Sequence, residues 1–190
     1  QNAAGILQGH GHYCLNEKGK EQARKLGIRL KDEKIDVAYL SDLRRAKETA
    51  AEILRFHPGT KTIFTEELRE RHHGMFEGRH GSEMLAAREK TGKSYEEFLP
   101  EGGESFLQCQ KRAVRFYESL VARYQAETIL LVTHGALLRC LLLHIAQQPF
   151  DINNYDTYQA KNCSLTIVEV NGETSRFTLI NCVKHLETFK

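Results

Sequence analysis

The sequence lacks long hydrophobic runs, segments of biased composition and a clear excess of charge of either sign. Its 190 residues carry 27 basic and 25 acidic side chains, a formal net charge of +2. No apolar stretch approaches the roughly 20 residues that cross a bilayer, and no secretory leader is visible. No basic stripe carries interleaved aromatic residues. We therefore expect neither a membrane nor a nucleic acid as a partner.

Cysteine pairs of the kind that bind zinc or do redox chemistry are also missing. The five cysteines are an odd number at wide spacings, and no two of them form a CxxC motif. Free thiols of this kind are typical of a reducing compartment, so we expect a cytoplasmic protein. The five are Cys14, Cys109, Cys140, Cys163 and Cys182.

The composition that is present, 41% hydrophobic and 27% charged, suits one α/β domain spanning residues 1–190. Apolar periodicity predicts helices over residues 17–31, from 43 to about 56, over 82–90 and over 104–125, and strands over 35–40, 62–64 and 129–132. Asn16 is expected to cap the first helix and Ser41-Asp42 the second. Asn171-Gly172 predicts a hairpin between strands 164–170 and 177–180. The order predicts a three-layer α/β/α sandwich, with a mostly parallel sheet and an antiparallel C-terminal strand.

The clearest local pattern is an apolar run that ends at His134. Residues 129–132 read as a buried parallel strand, and the residues after Gly135 favour a helix. His134 would then lie at the carboxyl end of a strand, beside the free N–H groups of a helix, where anions bind. A structural histidine at a strand end is the alternative.

Two charged segments could complete an anion site with His134. Arg45 follows a predicted strand, where its guanidinium suits phosphate, although a surface arginine would look the same. Glu70 lies between two arginines and could be a held proton donor or part of a solvated loop. Histidines are numerous nearby but lack firm ligand spacing, so no metal site is predicted. They are His10, His12, His72, His73 and His80.

Taken together, these segments resemble motifs of the histidine phosphatase superfamily, which has the phosphoglycerate mutase-like fold. The resemblance covers essentially the whole chain. It rests on Ser41-x-Leu43-x-Arg45-Ala46-x-x-Thr49-Ala50, Leu68-Arg69-Glu70-Arg71-His72-His73-Gly74-x-x-Glu77-Gly78, Glu101-Gly102-Gly103-Glu104-Ser105 and Thr133-His134-Gly135-x-x-x-Arg139.

One motif of the superfamily is not in the sequence. The superfamily begins with a strand that ends in Arg-His-Gly-Glu-Thr, whose histidine is the nucleophile. The pattern RHGETxxN would place its last position at Asn2. Either the first strand and the nucleophile lie upstream of Gln1 or the protein has lost them. The first alternative is favoured, because a parallel sheet without a central strand would leave buried backbone groups unpaired. In both cases we expect the 190-residue chain to be inactive.

The resemblance also implies a mechanism and a set of site residues. A phosphohistidine forms, Glu70 acts as general acid and then base, and Arg45 and His134 hold the phosphoryl oxygens. Other donors to the phosphate would come from Asn2, Gln8, Gly9, Gly135 and Ala136. Because arginines supply the positive charge, no metal and no cofactor are expected.

Two sequence features favour a phosphatase over a mutase. The sequence reads His134-Gly135-Ala136-Leu137 where mutases usually have His-Gly-Asn-Ser, and the long mutase insert is absent. The chain is most similar to the TIGAR, or fructose-2,6-bisphosphatase-like, branch, which implies small phosphorylated sugars or glycolytic acids as substrates. Arg71, Arg79 and Lys161 are candidates to meet a second phosphate.

Two alternatives stay open at the level of sequence. The chain could be a catalytically dead module that binds a phosphorylated ligand or a partner, or a protein phosphatase of the same superfamily. The sequence predicts no oligomeric state.

Overall fold

A computed structural model describes residues 5–172 and 174–187. Its helices are α1 (Glu17–Leu30), α2 (Arg44–Leu54), α3 (Gly81–Thr91), α4 (Phe106–Arg123), α5 (Gly135–Ile145) and α6 (Ile152–Thr157). Its strands are β1 (Val37–Ser41), β2 (Lys61–Thr65), β3 (Ile129–Val132), β4 (Leu165–Asn171) and β5 (Thr174–Cys182). The predicted α/β class is confirmed, with every predicted helix and strand present.

Strands β2, β1 and β3 form a parallel sheet with β1 in the middle. Side chains of β1 alternate between two cores because successive residues of a strand point to opposite faces. Val37 and Tyr39 join the core formed with α4 and α5, whereas Ala38 and Leu40 join the core formed with α1 and α2. Helices therefore cover both faces of the sheet, which gives the predicted three layers.

The C-terminal hairpin forms a two-stranded antiparallel sheet, in which β4 pairs with β5. Within the described residues, β3 hydrogen-bonds to β1 alone and leaves its other edge open. A cavity of about 1960 Å³ is lined by residues of both β3 and β4, and by Arg45, Glu70 and His134. This volume exceeds the roughly 300–1,000 Å³ of ordinary ligand pockets.

Helix ends show where the sequence interpretation holds and where it does not. Asn16 caps α1, as predicted, by accepting a hydrogen bond from Gly19 N at 2.8 Å. Ser41-Asp42 was expected to cap α2, but Leu43 occupies the N-cap position without a side-chain cap. That prediction was wrong because the Ser41 and Asp42 side chains bind other partners. Helix α6 was not predicted; its six residues are too few to show a clear period.

All five cysteines are free thiols, and Cys109 and Cys140 are buried. In the part of the chain that the structure describes, no helix combines the length and apolar character needed to cross a bilayer.

Candidate active site

His134 and Ser41 meet at the carboxyl ends of two neighbouring parallel strands. Ser41 is the last residue of β1, and His134 follows β3 at the N-cap of α5. His134 Nε2 and Ser41 Oγ are hydrogen-bonded at 2.7 Å, and His134 is only 9% exposed. Burial, with a contribution from the charge of Arg45, holds the pKa of His134 well below its ordinary value. The imidazole is therefore neutral at pH 7.

Arg45 brings positive charge to the same end of the sheet. It lies in the first turn of α2, and its Nη2 donates to the Gly9 carbonyl at 2.8 Å. Its Nη1 is buried and has no hydrogen-bond partner among the described residues. Burial lowers the pKa of Arg45, but an arginine stays protonated in a protein. One charged donor is thus free to bind an anion in the site.

The carboxylate of Glu70 lies on the N-terminus of α5. Its Oε1 accepts hydrogen bonds from Ala136 N at 3.0 Å and Leu137 N at 3.3 Å, and from Arg71 N at 2.9 Å. Free N–H groups and the helix dipole make this a favourable place for an anion. The Ala136 amide, expected to face a phosphate, thus donates to Glu70 in this structure, and Gly135 lies beside the same carboxylate.

The loop that carries Glu70 is fixed by two arginines that sequence reasoning missed or left without a role. Arg112, on α4, donates to the carbonyls of Glu67 at 2.8 Å, Arg69 at 3.0 Å and Glu70 at 3.4 Å. The Glu104 carboxylate holds Arg112 through Nε at 3.0 Å and Nη2 at 2.8 Å.

Arg69 makes the second fixing contact, a bidentate pair with Asp42 at 2.7 and 2.6 Å. Asp42 follows β1 directly, so this pair ties the acid loop to the strand end that carries Ser41. No spacing rule could have identified either contact, because each joins residues far apart in sequence. A capping box formed by Ser105 and Gln108 marks the start of α4, the helix that carries Arg112.

A tight loop around Gly9 closes another side of the site. Gly9 has φ +47°, which favours glycine, and a Cβ there would lie 1.9 Å from Glu77 Oε1, so another residue would have to displace the Glu77 carboxylate. Glu77 Oε1 accepts from His10 N at 2.7 Å, and His10 Nε2 donates to the Glu70 carbonyl at 2.8 Å. Gln8 belongs to the same loop, whereas Asn2 lies outside the described residues.

His73 is a buried polar residue to which the sequence interpretation gave no role. It is 8% exposed, and its Nδ1 has no hydrogen-bond partner among residues 5–172 and 174–187. Burial and the neighbouring charge of Arg71 lower the pKa of His73 to about 3. Its ring lines the large cavity together with Glu70 and His134.

The basic residues considered for a second phosphate do not converge. Arg79 is half exposed and lies 3.8 Å from Glu83. Lys161 is exposed and also lines the large cavity. Arg71 is buried and lines a different, smaller cavity. Side chains of His, Cys, Asp and Glu in the described ranges form no group of three able to hold a metal ion.

Known proteins with similar sequences and structures identify the family of this chain. The sequence model of the histidine phosphatase superfamily, branch 1, matches residues 1–183. A metal-independent phosphoserine phosphatase of Arabidopsis thaliana is 37% identical over 155 residues, 77% of this chain and 64% of that protein. The chain thus spans about two thirds of the length of this plant relative.

Two further similarities concern the predicted branch and the fold. The fructose-2,6-bisphosphatase TIGAR of Bos taurus is 38% identical over 123 residues, 63% of this chain and 46% of that protein. The structure of Bacillus stearothermophilus YhfR superposes with a TM-score of 0.86 at 31% identity, covering 98% of this chain and 93% of that one. The predicted resemblance, including the likeness to the TIGAR branch, is confirmed. The chain belongs to the histidine phosphatase superfamily, branch 1.

Proposed function

We propose that the complete protein hydrolyses phosphomonoesters of small metabolites through a phosphohistidine intermediate, in a reducing compartment such as the cytoplasm. The observation that carries the proposal is the convergence of three groups at one sheet edge. These are the neutral imidazole of His134, the free guanidinium nitrogen of Arg45 and the carboxyl group of Glu70.

The first step transfers the phosphoryl group to the protein. A neutral histidine nitrogen attacks phosphorus while the bond from phosphorus to the ester oxygen breaks. Glu70 gives its proton to the departing alkoxide, so the alcohol leaves neutral. Arg45 and His134 hold the phosphoryl oxygens as charge spreads over them in the transition state.

The second step regenerates the protein. A water molecule attacks phosphorus, the bond between phosphorus and histidine breaks, and Glu70 takes up the proton that the water loses. Inorganic phosphate then leaves. The backbone amides of α5 hold the Glu70 carboxylate in the same position in both steps. Arginine and imidazole supply the donors, so these steps use no metal or cofactor.

The attacking histidine is proposed to lie in a strand upstream of Gln1 that pairs with the open edge of β3. Two observations support this position. Within the described residues, no strand pairs with the outer edge of β3, whose backbone groups would cost roughly 1–3 kcal/mol each if buried without partners. The cavity of about 1960 Å³ that β3 and β4 line is also lined by Arg45 and His134. A strand in this position would end beside the groups that hold the phosphate.

Small phosphorylated metabolites are the proposed substrates. The names of similar proteins support this class, because they include a phosphoserine phosphatase and a fructose-2,6-bisphosphatase. A sugar bisphosphate or a phosphorylated acid of the bisphosphoglycerate type would be the natural substrate.

The test compares the 190-residue chain with one extended upstream through an Arg-His-Gly segment. Phosphate release is measured from fructose 2,6-bisphosphate, phosphoserine and a phosphoserine peptide. We expect turnover of the two small substrates by the extended chain alone, and its loss in His134→Ala and Arg45→Ala. Undiminished turnover in His134→Ala would overturn the assignment. Faster turnover of the peptide would favour a protein phosphatase, and phosphate binding without turnover a dead module.

A further inference from the structure

A buried arginine without an acidic partner lies beside the candidate active site. Arg71 follows Glu70 in the chain but is only 1% exposed. Its Nε donates to the Glu104 carbonyl at 2.8 Å, and its guanidinium carbon lies 3.9 Å from the centre of the Phe106 ring. Among residues 5–172 and 174–187, no carboxylate forms a salt bridge with it. A buried, unpaired charge is costly, so this guanidinium would gain from an anion.

The space next to Arg71 is a cavity of about 190 Å³ between the acid loop and α3. A second arginine, Arg88 on α3, contributes to its wall, and the Arg88 Nε is buried without a partner among the described residues. The only acidic contact of Arg88 is a 3.9 Å approach to the exposed Glu89, within the part of the chain that the structure describes. The wall of this cavity thus holds two cations and no acid.

The rest of the wall is apolar and aromatic. It includes Leu7, Met84, Tyr95, Phe98 and Phe106, and the rings of Tyr95 and Phe106 are stacked with centres 4.9 Å apart. An apolar cavity of about 150 Å³ in another protein binds benzene, so 190 Å³ has room for about one ring with a small substituent. The cavity therefore combines the size and lining for an apolar body with cations for one negative group.

We propose that this cavity binds a small monocarboxylate with a single aromatic or branched aliphatic body, whose carboxylate pairs with Arg71. The planar fork of a guanidinium matches a carboxylate with two parallel hydrogen bonds. A phosphate dianion fits less well, because it needs more donors than this wall supplies and gains nothing from apolar walls. The site is distinct from the large cavity that His134 and Glu70 line, although Leu7 borders both cavities, and its occupation does not depend on turnover.

Binding can be measured directly because the chain has only two methionines, Met75 and Met84. Met84 lines the cavity, whereas Met75 is 49% exposed and does not. The 190-residue chain labelled with [¹³C]methyl-methionine is titrated with benzoate at pH 7 and constant ionic strength. We expect a saturable shift of the Met84 methyl signal and no shift of Met75. Benzyl alcohol, which has the same size but no charge, should bind at least tenfold more weakly.

Two variants test the role of the cations. Arg71→Leu, which adds no further methionine, should weaken benzoate binding at least tenfold and leave benzyl alcohol binding within twofold. If Arg71→Leu does not fold, Arg88→Leu, which changes a partly exposed residue, should weaken benzoate binding severalfold. A Met84 signal that does not saturate with benzoate overturns the proposal. Equal affinity for benzoate and benzyl alcohol overturns it as well, and so does a larger shift with inorganic phosphate alone.

Discussion

Strands β1 and β3 lie side by side in one parallel sheet but are packed differently. All five residues of β1 are buried, whereas only Val132 among the four residues of β3 is. β1 has neighbouring strands on both sides, and β3 has one within the described residues. The candidate site divides in the same way. Its fixed half is the acid loop around Glu70, which Arg112 and Arg69 hold by hydrogen bonds. Its open half is the side next to β3, which the large cavity borders.

In the proposed reaction, the two halves of the site would contribute different parts. The fixed half holds Glu70, the proposed proton donor, and part of the proposed phosphate site, and these must keep their positions while charge develops. The open half borders the proposed position of the nucleophile. Substitutions in the fixed half should therefore change kcat or the free energy of unfolding. Adding a strand at the β3 edge should change the exchange rates of the β3 amides.

The largest effect is expected from removing Glu70, the proposed proton donor in the fixed half. In the extended chain, Glu70→Gln should lower kcat for phosphoserine by about 10²–10⁴-fold, because the serine alkoxide then leaves without a proton. It should lower kcat for p-nitrophenyl phosphate much less, since that phenolate leaves readily. Steady-state kinetics with both substrates measures the difference.

The matched control for Glu70→Gln is Glu67→Gln, which removes a carboxylate that pairs with the exposed Arg115 at the surface. It should leave both rates within about twofold. An equal loss with both substrates in Glu70→Gln would show that Glu70 acts by maintaining the loop and not by proton transfer.

The second effect concerns the open edge directly. In the 190-residue chain, alternate amides of β3 should exchange with deuterium at least tenfold faster than those of β1, because no strand of the described residues pairs with them. Extending the chain upstream through the proposed strand should slow them to the β1 range. Exchange followed by NMR tests both statements. β3 amides already as protected as those of β1 in the shorter chain would contradict the open-edge description.

The third effect returns to the fixed half. Arg112→Lys keeps the charge but loses the fork that binds the carbonyls of Glu67 and Arg69 and the Glu104 carboxylate. We expect a loss of about 2–4 kcal/mol in the free energy of unfolding, measured by urea denaturation, because buried groups lose partners.

Arg115→Lys is the matched control for Arg112→Lys, since Arg115 pairs with Glu67 at the surface. It should cost less than about 1 kcal/mol. Equal losses in the two variants would show that the buried contacts of Arg112 are not what stabilises the acid loop.

Sequence patterns predicted the strand ends and motif residues well, for a physical reason. Apolar runs of strand length and helix-forming periods are local signals, and they identified β3 and the start of α5. Contacts such as Arg112 with the Glu67 carbonyl join residues 45 positions apart and leave no local signal. The Ser41-Asp42 cap failed for the same reason, because both side chains are used by distant residues, His134 and Arg69.

A fourth effect is a pH dependence of stability that originates at His73. Its pKa is about 3 in the folded chain, against the ordinary 6.5 in the unfolded chain. Below pH 6.5 the unfolded chain gains a proton that folded His73 does not, so stability is lost as the pH falls. The contribution of His73 to the slope of the free energy of unfolding against pH approaches about 1.4 kcal/mol per pH unit.

Urea denaturation between pH 7 and 5 should show this slope, and His73→Gln should reduce the slope by the contribution of His73. An unchanged slope in the variant would assign the dependence to other groups.

The smallest expected effect concerns the hydrogen bond between Ser41, at the end of β1, and His134, which follows β3. Ser41 Oγ accepts a hydrogen bond from Leu43 N at 3.3 Å and lies 2.7 Å from His134 Nε2. If the hydroxyl proton is donated to Nε2, the imidazole proton stays on Nδ1, which can then donate to a phosphoryl oxygen.

Ser41→Ala removes the hydroxyl that selects the tautomer of His134 and should allow both tautomers. We expect a loss of about tenfold in kcat for the extended chain, or about 1.4 kcal/mol. The ¹⁵N chemical shifts of His134 report the tautomer, and Ser41→Thr, which keeps the hydroxyl, should restore the Nδ1–H form. If Ser41→Ala leaves those shifts unchanged, the tautomer is set from elsewhere, and β1 contributes to the site only through packing.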